Sequence, residues 1–440
     1  MSDRSKELRI LTTRRSFLKV MGSLAPGLAL GLGAPRSARA ATRIRSWTMS
    51  GQRWEFPQKA IVPEFEAKVG KQITVDLVAT PIAETPPKVA AAMLAGSSEY
   101  DLITLDYNQL GQLNSQLHPL TKYMEKDQAW TKSYLAAVPA NVHNLYAWKG
   151  TFFGVANDSN CQLGFYRRDV FDQLGLKPAD TWSQVPTLAK ALTRDTPQGK
   201  QYGFTTESRR GTYAFLTFAA IYWSSGGELW DDGYRPTLSN EMAAECLDLF
   251  KQCFAYAHQA AINAADDDNI QAMTSGAAVY SPVAWGNNAY TNPSLNKFAK
   301  VTVARTVPKG IGPKGVPRPT MGGFGYVIPK ASRHKDEAWE FVKYTAGDSG
   351  METWVKNTGQ PARTDALKKW KDLHPYYVAL ADSLPTAHWQ PTLPETFSIY
   401  EGVGAEIASA LLGQKTVKAA LADGEKVLGE ILRKGGYLKS

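Results

Sequence analysis

"IRSWTMSGQRWEFPQKAIVPEFEAKVGKQITVDLV", residues 44–78, changes its periodicity in the way that decides the fold. Residues 44–47 read as a short strand. Ile61, Phe65 and Val69 recur at helical spacing across residues 60–69, and Gly70 ends that helix. Residues 73–78 alternate apolar and polar side chains, the two-residue period of a strand. The alternation continues outward. Ala90, Ala91 and Leu94 share one side of a helix at 88–94, and residues 101–105 make a third strand. Strand, helix, strand, helix, strand predicts a parallel sheet with crossover helices, an α/β fold. Ligands of such sheets sit beyond the carboxyl ends of the strands. The loops after Trp47, Val78 and Leu105 are therefore where a ligand is expected.

Downstream, residues 161–280 are more helical, with apolar helical spacing at 214–222 and 243–257. "SSGGELWDDG" (224–233) is a polar, glycine-rich loop, and 306–325 reads as an extended connection dense in Gly and Pro. Helices return at 335–345 and 417–432, the latter with Thr416 as its expected N-cap. About 400 residues beyond position 40 exceed one ordinary core, so two domains are expected.

The first forty residues read as an export segment. Six Arg and Lys side chains precede a weakly apolar run at 20–34, and Ser37-Ala38-Arg39-Ala40 closes it with an A-x-A cleavage pattern. The run is short and broken by Pro26 and glycines, unlike a membrane-spanning helix. Thr13-Arg14-Arg15-Ser16-Phe17-Leu18-Lys19 resembles a twin-arginine signal. No cysteine stands near the cleavage point, so a soluble periplasmic product cut near Ala40 is expected, without a lipid anchor. The segment holds eight of the 50 basic and two of the 41 acidic residues, which leaves the remainder with a net charge of only +3. No basic stripe persists in that remainder, which argues against a nucleic-acid partner.

Several motifs imitate catalysis. Gly347-Asp348-Ser349-Gly350 spells a serine-protease nucleophile region, but it lies where one helical segment ends and another begins. Gly310-x-Gly312-x-x-Gly315 spells a dinucleotide loop, yet Pro313 and the prolines after it forbid the helix that would hold phosphates. Asp266-Asp267-Asp268 opens a helix, where acids complement the dipole without any metal. The six histidines form no H-x-x-x-H pair. Cys246 and Cys253 lie seven apart on a helix, roughly 10 Å from the rise per residue, too far for a disulfide. With Cys161 they are expected to be buried thiols. No cofactor and no enzymatic activity are expected; a secreted hydrolase using Ser349 is the alternative from another class.

Four segments carry a resemblance. Residues 152–160, followed by Gly164-Phe165-Tyr166-Arg167-Arg168-Asp169-Val170-Phe171, resemble the first inter-lobe crossing of the family 1 extracellular solute-binding proteins, the receptors of ABC importers for sugars and related solutes. Residues 277–285, ending on Trp285, resemble its second crossing, and residues 322–330, followed by Ala338-Trp339-Glu340-Phe341-Val342, its third. Gly359-Gln360-Pro361-Ala362-Arg363 is similar to the family's "G-x-x-P-x-R", one residue shorter. The resemblance implies a two-lobed periplasmic-binding-protein-like fold of class II, with a ligand cleft between lobes joined by three crossings. It divides the chain into 41–157 plus 285–329 for one lobe and 158–284 plus 330–440 for the other. It also implies permease subunits as membrane partners, the twin-arginine machinery as an export partner, and a monomer.

On this resemblance, the cleft residues are expected to be Gln52 and Trp54 with Ser50 after the first strand; Asp106, Tyr107 and Asn108 after the third; and Asp158, Ser159 and Asn160 at the first crossing. Trp285 and Asn287 would come from the second crossing, Gly323 and Phe324 from the third, and Trp223, Arg363 and Trp389 from the other lobe. The set suits a sugar or sugar alcohol: aromatic rings take the C–H faces while Asp and Asn take hydroxyls. The alternative is a cationic solute such as a polyamine or quaternary amine, held by Asp106 and Asp158 beside Trp285 and Tyr107. A phosphorylated ligand would call on Arg53 and Arg363.

Overall fold

The computed structural model describes residues 41–438 apart from residues 83 and 198. The expected export signal lies outside the described residues. Seven strands form the main sheet: β1 (Thr42–Met49), β2 (Ile73–Thr80), β3 (Leu102–Asp106), β4 (Gly154–Arg167), β5 (Tyr280–Trp285), β6 (Thr302–Arg305) and β7 (Met321–Val327). Their order is β6-β4-β7-β3-β1-β2, with β5 also paired to β4. The long helices are α1 (Glu55–Lys68), α2 (Thr85–Leu94), α3 (Thr212–Ser224), α4 (Glu241–Cys253), α5 (Asp266–Ser275), α6 (Lys335–Ala346), α7 (Asp348–Lys356), α8 (Thr396–Leu411) and α9 (Val417–Lys434).

The opening β-α-β-α-β unit forms as its periodicity predicts, with β1 parallel to both β2 and β3. Helix α1 begins at Glu55, before its apolar stripe. The Glu55 carboxylate reaches back to accept the Gly51 N–H at 3.0 Å and ties the preceding loop to the helix start. Helix α9 starts as expected, with Thr416 accepting the Ala419 N–H.

Strand β4 organises the rest. Its fourteen residues are buried except Tyr166. Residues 154–161 pair antiparallel with β7, whereas residues 162–167 pair with β5 and β6. One strand thus runs from one set of neighbours into another. Two hydrophobic cores flank this ladder. The first gathers Ile44, Phe65, Leu105, Val155, Val327, Phe341 and Trp354; the second gathers Phe171, Phe215, Trp223, Leu247, Val283, Ile399 and Leu428.

The division of side chains between these cores departs from the expected lobe boundaries. Helices α6 and α7 pack into the first core, not the second, because Phe341 meets the Phe65 ring of α1 edge-on at 5.0 Å. Val307 and Ile311, expected with the first, belong to the second. The three cysteines are buried and free. Residue Ser349 lies exposed in the first turn of α7, and its neighbour Asp348 is bound to Arg363 rather than to a histidine.

Candidate functional site

The carboxyl ends of β1 and β3, the middle of β4, the end of β5 and the start of β7 converge on one place. Phe324 on β7 stands opposite Asp106 of β3 on one side and Asp158 of β4 on the other. Directly opposed residues of antiparallel strands share a face, so the register alone sets carboxylate, ring and carboxylate in a row. Arg53, from the loop after β1, reaches across this row. Its Nε and Nη2 donate to the two Asp158 oxygens at 2.9 and 2.5 Å. The guanidinium also lies 5.0 Å from the Trp54 ring and 5.6 Å from Phe324, and those two rings meet edge-on at 5.1 Å.

Trp285, at the end of β5, completes the aromatic surface. A Cβ at Gly322 would lie 2.9 Å from the indole, so only glycine lets the ring lie on the β7 backbone. The Trp285 N–H donates to Glu207 Oε1 at 2.9 Å. Trp54, Phe324 and Trp285 are each partly exposed, and the indole N–H of Trp54 has no partner among the described residues.

The charges here are strongly perturbed. Burial pushes the Asp106 carboxyl up to about 6, opposed by the Asn108 N–H and by Arg53. Burial also raises Asp158, with Arg53 pulling against it. For Arg53, burial opposes the charge, yet Asp158 more than compensates. The side-by-side geometry, two donors on two oxygens, requires an ionised Asp158.

Not every expected residue joins this group. Tyr107 is fully buried and serves the scaffold: its hydroxyl donates to the Met321 carbonyl and accepts the Gln390 N–H. Asn160 is held within the crossing, donating to the Gly286 carbonyl and accepting from Gln360. Asn287 caps the turn at 288–290 through the Ala289 N–H. Gly323 packs its backbone near the Asp158 carbonyl. Asn108 is buried, with its Oδ1 unpartnered among the described residues. Gln52 is exposed, and its carbonyl accepts the Thr358 hydroxyl.

Two expectations need correction. Trp223 has no exposed surface; it sits in the second core, stacked on His388 at 4.2 Å, because α3 is apolar all round. Arg363 is taken by Asp348 and Asp365, at 2.6 and 2.7 Å, and has no charge left over for a ligand. Trp389, by contrast, stays 56% exposed, lining a hollow of about 880 Å³ with Trp230, His388 and Glu228, while its neighbour Gln390 donates to the Met321 carbonyl.

Two acids escaped the sequence reading. Glu207 lies in an irregular segment with no period to flag it, and Asp266 reads as one more helix-start acid. Only the tertiary fold brings them together.

The profile of the bacterial extracellular solute-binding proteins matches residues 55–352. The chain belongs to that family. It is a solute-binding protein rather than an enzyme. Among curated relatives, the mannitol-binding protein of Pseudomonas aeruginosa is 23% identical over 78% of this chain and 82% of its own length. The arabinooligosaccharide-binding protein of Bacillus subtilis is 22% identical over 76% and 77%. Among solved structures, maltose-bound MalE3 of T. maritima has a TM-score of 0.77 at 19% identity, covering 89% of this chain and 100% of its own. A solute-binding protein of Agrobacterium vitis S4 with bound D-mannitol has a TM-score of 0.73 at 20% identity, covering 91% and 100%. These likenesses carry the two-lobed periplasmic-binding-protein fold expected from the four sequence segments.

Proposed function

We propose that this solute-binding protein is the periplasmic receptor of an ABC importer for a sugar, oligosaccharide or sugar alcohol. The observation that carries the reading is the row Asp106–Phe324–Asp158 with Trp54 and Trp285 beside it. A polyol presents C–H faces and a rim of hydroxyls. The three rings supply surfaces for the faces. Asp106 and the Arg53–Asp158 pair supply acceptors and donors for the rim. Relatives named for mannitol and arabinooligosaccharides, and similar folds solved with maltose, mannitol and ribitol, support that ligand class. The lobes would close on the solute as hinged bodies, and membrane permease subunits would then receive it.

A cationic solute is the second reading, favoured by the two carboxylates, Asp106 and Asp158, that flank Phe324. Arg53 weighs against it, since it already neutralises Asp158 and would repel an ammonium group. Thermal-shift screening separates the two. D-mannitol, ribitol, maltose or an arabinose oligosaccharide should raise the melting temperature, because a ligand of the native state alone stabilises it. A response confined to polyamines or quaternary amines would overturn the sugar reading. Export by the twin-arginine route predicts that Arg14→Lys with Arg15→Lys leaves the precursor in the cytoplasm; undiminished export would refute that route.

A further inference from the structure

Behind Trp285 lie two carboxyl groups that the solute reading does not use. Glu207 is completely buried. Its segment is tied to β5 and α3: the Thr205 N–H donates to the Tyr280 carbonyl, the Thr206 hydroxyl to the Val283 carbonyl, and the Thr217 hydroxyl to the Glu207 carbonyl. One side-chain oxygen, Oε1, accepts the Trp285 N–H. The other, Oε2, and Oδ1 of Asp266 are buried and find no donor among the described residues. Two ionised carboxylates in contact would repel, and each would leave an oxygen unsatisfied. One shared proton resolves both problems.

The surroundings decide which group carries it. Burial, with Asp267 beside it, pushes the Asp266 carboxyl up to about 6, but Asp266 is the first residue of α5, where the helix dipole favours negative charge, and Arg53 pulls toward its ionised form. Glu207 has neither aid. Burial first and the Asp266 charge second hold its carboxyl well above the usual carboxylate range. The other groups facing the pair are Asp267 on α5, Tyr213 on α3 with Arg209 beside it, and Tyr290.

We propose that Glu207 is a positioning residue of the solute site: protonated, it donates to Asp266 through one oxygen and with the other holds the Trp285 backbone so that the indole lies on Gly322. The inference rests on Trp285 being a solute contact. Removing the proton charges Glu207 against Asp266 and drives the two apart, and Trp285 moves with its anchor. The site is thus built in its proton-bearing form.

The test does not depend on knowing the solute. Fluorotryptophan is incorporated, the Trp285 resonance is assigned by Trp285→Phe, and its fluorine shift is followed from neutral to alkaline pH. Wild-type protein should show a titration step. Glu207→Gln, whose amide keeps an acceptor for Trp285 and a donor for Asp266, should show none. Glu207→Ala should shift Trp285 at every pH and weaken binding of D-mannitol, or of whichever screened polyol binds, by roughly tenfold, the cost of a lost buried partner. Should Glu207→Ala fail to fold, Glu207→Gln and Asp266→Asn still decide the matter. A wild-type Trp285 resonance that does not titrate, or one titrating identically in Glu207→Gln, overturns the proposal. Absence of binding by every polyol overturns the solute reading instead and leaves the resonance result standing.

Discussion

Arg53 meets Asp158 across 105 residues of chain, and that single contact ties the loop after β1 to the crossing strand β4. Breaking one side of a buried ion pair leaves the other charge unpaired, which typically costs about 3 kcal/mol. Asp158 is fully buried and Arg53 only partly exposed. Arg53→Ala should therefore lower the unfolding free energy by about that amount in a urea titration, and should abolish polyol binding. Asp106 carries a pH dependence of its own. Folding raises its carboxyl from 3.8 to about 6. Its contribution to stability is therefore complete below the ordinary value and is lost as the pH rises through about 6. Asp106→Asn keeps an acceptor for the Asn108 N–H and should flatten stability across that window, as melting curves at stepped pH would show. Neither residue's pairing was legible in the sequence. Asp106, Asp158, Trp54, Phe324 and Trp285 were all named from it, because strand ends and the resemblance mark them. Arg53 was considered only as a phosphate partner, since an arginine's partner depends on which strands lie side by side.

At the scale of elements, β4 and β7 carry the site, and their glycines set how closely the aromatic rings approach. A Cβ at Gly322 would meet the Trp285 ring at 2.9 Å, whereas one at Gly325 would lie 2.5 Å from the buried Tyr146 ring and 2.8 Å from the Val155 carbonyl. The two positions should separate binding from folding. Gly322→Ala should displace a half-exposed indole, weakening solute binding with little change in melting temperature. Gly325→Ala should strain the core and lower stability by about 1–3 kcal/mol, the usual cost of overpacking. Calorimetric titration and thermal unfolding of both variants check this pair of outcomes. Elements with a clean period were legible: β1, β2, β3, α1, α2 and α9 all form where apolar spacing indicates them. Burial erased that signal elsewhere. Every side chain of β4 but one is hidden, so it shows no alternation, and α3 is apolar on all sides, so no period shows that Trp223 points inward.

The molecule as a whole has two cores sharing one continuous strand, an arrangement suited to hinge motion about the crossings. The periplasmic-binding-protein fold was readable from the resemblance of four segments. The division of helices between cores was not, because an apolar stripe does not name its partner, and tertiary contacts such as Phe65–Phe341, Phe65–Tyr344 and Trp130–Trp339 choose. The central claim is that a polyol or sugar lodges against Trp285 between these halves. The most direct measurement is isothermal titration of D-mannitol, ribitol, maltose and an arabinose oligosaccharide into wild-type and Trp285→Ala protein. At least one solute should bind the wild type, and the substitution should weaken that binding by about 2 kcal/mol or more, the loss expected for a central aromatic anchor. Binding by none of the four, or equal affinity in a folded Trp285→Ala variant, would contradict it.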